Sequence, residues 1–124
     1  MKNFEDLETW KAARGFRNEI SKLVKTFPEK EKFRLTDQLI RSSRSITANI
    51  SEGHGRFHYQ ENIQFCRQAR GSLTETLDHL ICAVDENYID EKTLTSFREK
   101  YVYYLKLING YILYLKKRKS DEHL

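Results

Sequence analysis

The chain has 124 residues, the size of a single domain, and its 39% of hydrophobic residues is enough to close one core, which excludes disorder for the body of the chain. It contains one proline and five glycines, too few for β-sandwiches and barrels, which need turn residues about every 8 to 12 positions. The formal net charge of +4, with 32% of the residues charged, allows attraction to nucleic acid or anionic lipid without requiring either.

The first half of the chain predicts two amphipathic helices. Apolar residues recur every three or four positions over residues 7–27, which is the period of one helical face. We expect this helix to stop at Phe27, because a residue before a proline avoids helical angles, and residues 28–32 to form a charged connector. A second stripe from Leu35 to Ile50 predicts a helix that stops at Gly53, with residues 54–58 as the turn.

The second half predicts two more helices. A third stripe covers residues 63–84, with Asn87 beyond it as a left-handed stop, and Asp90 is placed to cap a fourth helix. Asn109-Gly110 is also the strongest two-residue hairpin signal, so a terminal β-hairpin is the alternative. Residues 103–108 do not alternate, nothing else supplies a sheet, and a glycine inside a helix costs only about 1 kcal/mol, so a helix is favoured.

Four helices with short connectors predict an all-α fold, an antiparallel up-and-down four-helix bundle. Residues 1–119 would form this single domain and residues 120–124 a frayed C-terminal tail. Cys66 and Cys82 lack any metal-ligand spacing and are expected to be reduced packing residues. No apolar run reaches the ~20 residues that span a bilayer and the N-terminus lacks a signal peptide, so we expect a cytoplasmic protein without a membrane partner.

Basic residues are unevenly distributed. Residues 60–89 carry two basic and five acidic side chains, whereas the rest of the chain is basic. Arginines at three-residue spacings and one in the predicted turn could converge into an anion-binding face, although pairing with Glu52, Glu61 or Asp78 explains them at similar odds. The basic run near the C-terminus is better explained as a solvated helix end than as a phosphate contact. The candidate nucleic-acid contacts are Arg41, Arg44, Arg56, Arg67, Arg70, Lys116, Lys117, Arg118 and Lys119.

The second predicted helix is dense in small and polar residues. Asn49 lies one turn from Ile46 and should face the interior or its boundary, where an unpaired amide costs about 1 to 3 kcal/mol. Gly71 and Ser72 on the third helix offer a small spot for a close crossing. We therefore expect a structural polar network, whose simplest role is to fix helix register and whose members are Asn49, Glu52, Ser72 and Glu75.

Five tyrosines cover more than one face of the fourth helix, so some of them should contact another chain, with base stacking as the less favoured use. They are Tyr101, Tyr103, Tyr104, Tyr111 and Tyr114.

Catalytic motifs are weak, so we expect no enzyme, no metal site and no cofactor. No histidine has a glutamate three residues before it, which excludes a di-iron bundle, and there is no nucleophile elbow or glycine-rich phosphate loop. His54, His58 and His79 are far more readily explained as exposed or capping residues than as ligands. Arg118 and His123 match the spacing of HEPN-type helical ribonucleases, but they lie at the end expected to fray.

Over residues 4–117 the sequence resembles the bacterial large-ribosomal-RNA intervening-sequence protein family. The motifs that carry the resemblance are residues 7–12 (LETWKA), Phe27-Pro28 with Glu31, residues 38–53 ending in NISEG, residues 69–75 (ARGSLTE) and residues 87–89 (NYI). Two departures are Ile40-Arg41 where the family often has Arg-Arg, and Ser51 where it often has Ala. The first departure removes one positive charge and weakens an inherited nucleic-acid role.

The resemblance implies a four-helix bundle that assembles as a homopentamer. It also implies similarity to the accessory variability protein of diversity-generating retroelements, which is more basic and binds nucleic acid and a reverse transcriptase. We therefore expect a non-enzymatic homo-oligomer that binds RNA or another nucleic acid. The alternative is a protein-interaction scaffold with no nucleic-acid role.

Overall fold

The computed structural model describes residues 3–122, and its four α-helices are α1 (Glu8–Leu23), α2 (Leu35–Gly55), α3 (Tyr59–Asp85) and α4 (Glu91–Glu122). Three short 3₁₀ turns complete the helical structure, at Phe4–Asp6, Val24–Thr26 and Glu29–Glu31. The all-α prediction is confirmed, and no strand occurs between residues 3 and 122. The hairpin alternative for residues 101–115 is excluded because α4 continues through Gly110 to Glu122. Of the predicted frayed tail, residues 120–122 are helical and residues 123–124 lie outside the described part.

α1 ends at Leu23, before the predicted stop at Phe27, and a 3₁₀ turn at Val24–Thr26 follows it. Phe27 adopts extended angles (φ −78°, ψ 154°) directly before Pro28, after the 3₁₀ turn that follows α1. The predicted stop at Gly53 is wrong, because α2 continues to Gly55 and no described glycine has a positive φ. The turn is made instead by Phe57, which has a φ of 61°.

The connector between α3 and α4 follows the sequence signals closely. Asn87 has a φ of 63°, which confirms the left-handed stop. The predicted cap of α4 is also confirmed, because the backbone N–H of Thr93 donates to Asp90 Oδ1 at 2.8 Å. A hydrogen bond joins this connector to the one between α1 and α2, because the Tyr88 hydroxyl donates to Glu31 Oε2 at 2.6 Å.

The helices form a ring in chain order. Each helix packs against its two neighbours, so α1 contacts α2 and α4 but not α3. The interface between α2 and α3 is the most extensive of the four, and that between α1 and α4 is the smallest. Hydroxyl pairs give the direction of α2 against α3, since Ser45 bonds Ser72 and Ser42 bonds Thr76. Residue numbers therefore rise on one helix as they fall on the other, as in an antiparallel pair.

The interior combines apolar side chains from all four helices, with Phe16, Leu39, Leu80 and Ile108 among the most buried. Every buried side-chain nitrogen or oxygen in residues 3–122 has a hydrogen-bond partner. Cys66 is fully buried, whereas Cys82 is exposed, so the packing role predicted for Cys82 is wrong. None of the described helices has a stretch both long and apolar enough to cross a membrane.

Gly53 marks the closest approach of α2 and α3. A Cβ atom there would lie 2.7 Å from Asn62 Oδ1 and 2.8 Å from Phe65 Cβ. The close crossing predicted at Gly71 is wrong, because Gly71 is exposed and nothing lies within 4 Å of a Cβ built on it. The glycine that the packing of α2 on α3 requires is therefore Gly53.

Candidate nucleic-acid interface

The predicted polar network exists only in part. Asn49 Nδ2 donates to the backbone oxygen of Ser45 at 2.8 Å and to Ser45 Oγ at 3.0 Å, and Ser72 Oγ donates to the same Ser45 Oγ at 3.0 Å. Ser45 thus joins Asn49 to Ser72. The two predicted carboxylates are not members: Glu52 pairs with Arg56, and Glu75 contacts His79, each one turn away on its own helix.

The five arginines of the predicted anion-binding face do not converge. Arg41 pairs with Asp37 one turn away on α2, with 2.9 Å between Nε and Oδ2. Arg44 faces the groove between α1 and α2. Arg70 lies on the other side of the bundle, where its Nη1 donates to Asn109 Oδ1 of α4 at 2.8 Å. The arginines of α2 therefore do not meet Arg70, which packs against α4.

Arg56 is largely neutralised in the turn between α2 and α3. Its guanidinium lies 3.0 Å from Glu52 Oε1 and 3.8 Å from Glu61 Oε2, and it covers the ring of Phe65 at 5.1 Å from the centroid. The alternative of pairing with Glu52 and Glu61 is confirmed for this arginine.

Three of the remaining cations line one groove. Arg67 from α3 and Lys116 and Lys119 from α4 border an open groove of about 400 Å³, and no carboxylate lines it. Lys119 Nζ donates to Gln60 Oε1 at 2.6 Å, a contact that holds the ammonium in place without neutralising it. Antiparallel packing explains the arrangement, because it sets the start of α3 beside the end of α4.

Further basic and aromatic side chains lie at the same end of the bundle. Arg118 Nε donates to the Tyr59 hydroxyl at 3.4 Å, and Lys117 is exposed on the same last turns of α4. Phe57 in the adjacent turn is 87% exposed. We call this part of the molecule the basic end; its residues are Arg56, Phe57, Tyr59, Arg67, Lys116, Lys117, Arg118 and Lys119.

The tyrosines of α4 divide between the interior and the surface. Tyr101 shares a hydrogen bond with Thr74, Tyr104 packs on Phe16, and Tyr111 accepts from Asn62 Nδ2 at 3.2 Å. Tyr103, Leu113 and Tyr114 are more than half exposed, and Val102 is 45% exposed. We call these four exposed side chains of α4 the outer stripe.

One groove was not predicted from the sequence. Trp10 and Arg17 of α1 face Arg44 of α2 across an open groove of about 550 Å³. The signal was present, because Trp10, Arg14, Arg17 and Ser21 recur at spacings of three and four and so share a face of α1.

The histidines give no catalytic arrangement in the described part of the chain. His79 Nε2 lies 3.0 Å from Glu75 Oε2 on the surface of α3. His123, the partner that the ribonuclease-like spacing requires for Arg118, lies outside the described residues.

Comparison with known proteins identifies a family and a similar solved structure. No match is found among curated proteins. A similar solved structure, from Bacteroides thetaiotaomicron VPI-5482, is described as a protein with unknown function from the S23 ribosomal protein family. It is 25% identical with a TM-score of 0.76, and the alignment covers 84% of this chain and 97% of that chain. A family described as 23S rRNA-intervening sequence protein matches residues 5–110, most of the chain, and the protein therefore belongs to this family.

Proposed function

We propose that the protein is a non-enzymatic, homo-oligomeric helical bundle that binds RNA or another nucleic acid at its basic end. The observation that carries the proposal is the groove in which Arg67, Lys116 and Lys119 meet across α3 and α4 with no carboxylate among the lining residues. Guanidinium and ammonium groups that lack a counter-charge attract phosphate oxygens, the acidic groups that every nucleic acid presents.

Exposed rings in a second groove at the same end of the bundle, which Phe57, Tyr59 and Tyr114 line, support a preference for unpaired nucleotides. Phe57 is 87% and Tyr114 55% exposed, and Tyr114 stacks on Tyr111 with 13° between the ring planes. Bases of a single strand stack on such rings, whereas the bases of a duplex are already stacked on one another. Phosphate contacts would thus provide most of the affinity, and the rings would distinguish single strands from duplexes.

Oligomerisation would multiply the charge of this surface. Five chains, each with a formal charge of +4, would carry about +20 as the homopentamer that we propose. Val102, Tyr103 and Leu113 of the outer stripe support an interface on α4, because they are apolar or aromatic and all at least 45% exposed.

The charge proposal is tested with two triple variants of equal charge change. Arg67→Ala/Lys116→Ala/Lys119→Ala removes the groove cations, and Lys22→Ala/Lys92→Ala/Arg98→Ala removes three exposed cations toward the opposite end of the bundle. Fluorescence anisotropy with a labelled stem-loop RNA is measured from low to physiological salt. We expect the RNA affinity of the wild type to fall steeply with salt. In the groove variant the slope of log K against log salt should be smaller in magnitude by about 2 to 3, whereas the control variant should keep the slope of the wild type. Absence of binding by the wild type at low salt, or equal losses in both variants, would contradict the proposal.

The assembly is tested by size-exclusion chromatography with light scattering. Leu113→Glu/Val102→Glu should reduce the pentamer to smaller species, because it buries charge in the interface. Gln64→Glu/Gln68→Glu adds the same charge to exposed positions of α3 and should leave the mass unchanged. A monomeric wild type would refute the oligomer.

The outer stripe also favours a second candidate function, a protein-interaction scaffold. In that case the wild type is monomeric, and a different protein covers Leu113 and Tyr114. The complex would survive nuclease and high salt, because apolar contacts are not screened, and Leu113→Glu would abolish it. A complex that nuclease disperses would instead be held together by nucleic acid.

A further inference from the structure

The groove between α1 and α2 is a second cationic surface, separate from the basic end. It has a volume of about 550 Å³, and residues of α1 and α2 line it together with Phe4. No aspartate or glutamate is among its lining residues. Because α1 and α2 lie across the ring from the groove between α3 and α4, a ligand in one groove does not occupy the other.

Two guanidiniums flank this groove, and a hydrogen bond holds one of them in place. Arg17 Nη1 donates to Thr47 Oγ1 at 2.8 Å, and the Thr47 hydroxyl in turn donates to the backbone oxygen of Arg44 at 3.1 Å. Arg17 is thereby held one helical turn from Arg44 along α2, while the rest of its guanidinium keeps N–H donors for a ligand. The side chain of Arg44 is exposed and has no partner within residues 3–122. The two guanidiniums repel each other and no carboxylate of the groove offsets their charge, so a bound anion would stabilise both of them.

An aromatic wall adjoins the two arginines. The rings of Trp10 and Phe4 meet edge to face with 5.2 Å between their centroids, and the guanidinium of Arg14 lies 5.7 Å from the Trp10 ring centroid. Planar bases pack against indole rings and guanidinium planes alike. The groove is also larger than a phosphate group requires and thus has space for a ring beside the anion.

We propose that this groove binds a nucleotide, with the phosphate between Arg17 and Arg44 and the base against Trp10. A free mononucleotide and one nucleotide of a single strand present the same phosphate and ring. The proposal does not depend on nucleic-acid binding at the basic end, since none of the residues of that end lines the groove.

The single tryptophan of the chain makes the groove directly observable, because all tryptophan fluorescence comes from Trp10. The wild type is titrated with AMP, adenosine and inorganic phosphate, with excitation at the red edge of the indole band where adenine does not absorb. We expect saturable quenching by AMP and binding at least tenfold weaker for adenosine and for phosphate alone. Isothermal calorimetry repeats the comparison without an optical signal.

Substitutions assign the signal to the groove. Arg44→Ala should weaken AMP binding at least tenfold while leaving the urea midpoint unchanged, because its side chain has no partner in the described part of the chain. Arg98→Ala removes an exposed arginine of α4 and should bind AMP as the wild type does. The variant Arg67→Ala/Lys116→Ala/Lys119→Ala should also keep AMP binding, which separates this proposal from the function of the basic end.

The remaining outcomes decide between the ligand classes. No saturable response to millimolar AMP, equal affinity for phosphate and AMP, or the same loss in Arg44→Ala and Arg98→Ala would overturn the proposal. A short single-stranded oligoadenylate that binds more tightly per site than AMP would identify a strand as the source of the nucleotide. Equal affinities would identify a free mononucleotide, and either result supports the site.

Discussion

Gly53→Ala is the substitution for which the packing of α2 on α3 makes the sharpest prediction. The new Cβ would lie 2.8 Å from Phe65 Cβ and 3.1 Å from the backbone oxygen of Asn62. Ordinary contacts between carbon atoms are about 3.5 to 4.0 Å, so the two helices must move apart. Asn62 would move as well, and its hydrogen bond to Tyr111 of α4 would be strained.

The expected magnitude follows from three contributions. Overpacking typically costs about 1 to 3 kcal/mol, and a weakened buried hydrogen bond adds about 1 kcal/mol. Alanine has a higher helix propensity than glycine, which offsets about 1 kcal/mol. We therefore expect Gly53→Ala to lower the free energy of unfolding by about 1 to 3 kcal/mol.

The assay is urea unfolding followed by far-ultraviolet circular dichroism at one protein concentration. Gly15→Ala and Gly71→Ala are matched controls, because both glycines are exposed helical positions with nothing within 4 Å of an added Cβ. Each control should be more stable than the wild type by about 0.5 to 1 kcal/mol. If Gly53→Ala is as stable as these controls, the close crossing at Gly53 is refuted.

Three further predictions concern other parts of the molecule. Phe57→Gly should raise the free energy of unfolding by about 1 kcal/mol in the same assay, because Phe57 is 87% exposed and holds a φ of 61° that glycine adopts without strain. The pKa of Glu31 is lowered mainly by the hydrogen bond from Tyr88 and then by that from the Leu35 N–H. The Glu31 carboxylate therefore stabilises the fold above its unfolded pKa, and this stability is lost as the pH falls through the folded pKa. Tyr88→Phe should therefore reduce the change in the free energy of unfolding between about pH 5 and pH 3. An unchanged pH profile would contradict the role of the Tyr88 hydrogen bond. Burial raises the pKa of Cys66 to about 12, whereas Cys82 is exposed, so a thiol reagent followed by mass spectrometry should label Cys82 in the native protein and Cys66 only on unfolding.

Local sequence signals predicted the helices and their connectors. Apolar spacing identified all four helices, and single residues located the breaks, such as Pro28 after α1 and Asn87 after α3. These signals act within one or two turns of chain. They are therefore visible in a sequence without knowledge of what packs against what.

The relative register of two helices depends on contacts that no local signal specifies. Asn49 and Ser72 were expected in one network and do share a partner, but that partner is Ser45. The role of Gly53 could not be distinguished from that of a helix stop, because glycine is common at both stops and close crossings. The predicted arginine face is wrong for the same reason, because helix packing places Arg44 and Arg70 on opposite sides of the bundle.

The unequal interfaces of the ring have a consequence for how the bundle opens. The smallest interface joins α1 to α4, where Lys100 pairs with Glu19 and Phe16 packs on Phe97, whereas α2 and α3 share the largest interface. Partial opening should start at the smaller interface, so amide hydrogens of α1 should exchange earlier than those of the paired hairpin of α2 and α3. A nucleotide that bridges Arg17 of α1 and Arg44 of α2 would link α1 to the pair of helices that shares the largest interface. Its binding would then be detectable as slower exchange along the whole of α1, including turns of the helix that the nucleotide does not contact.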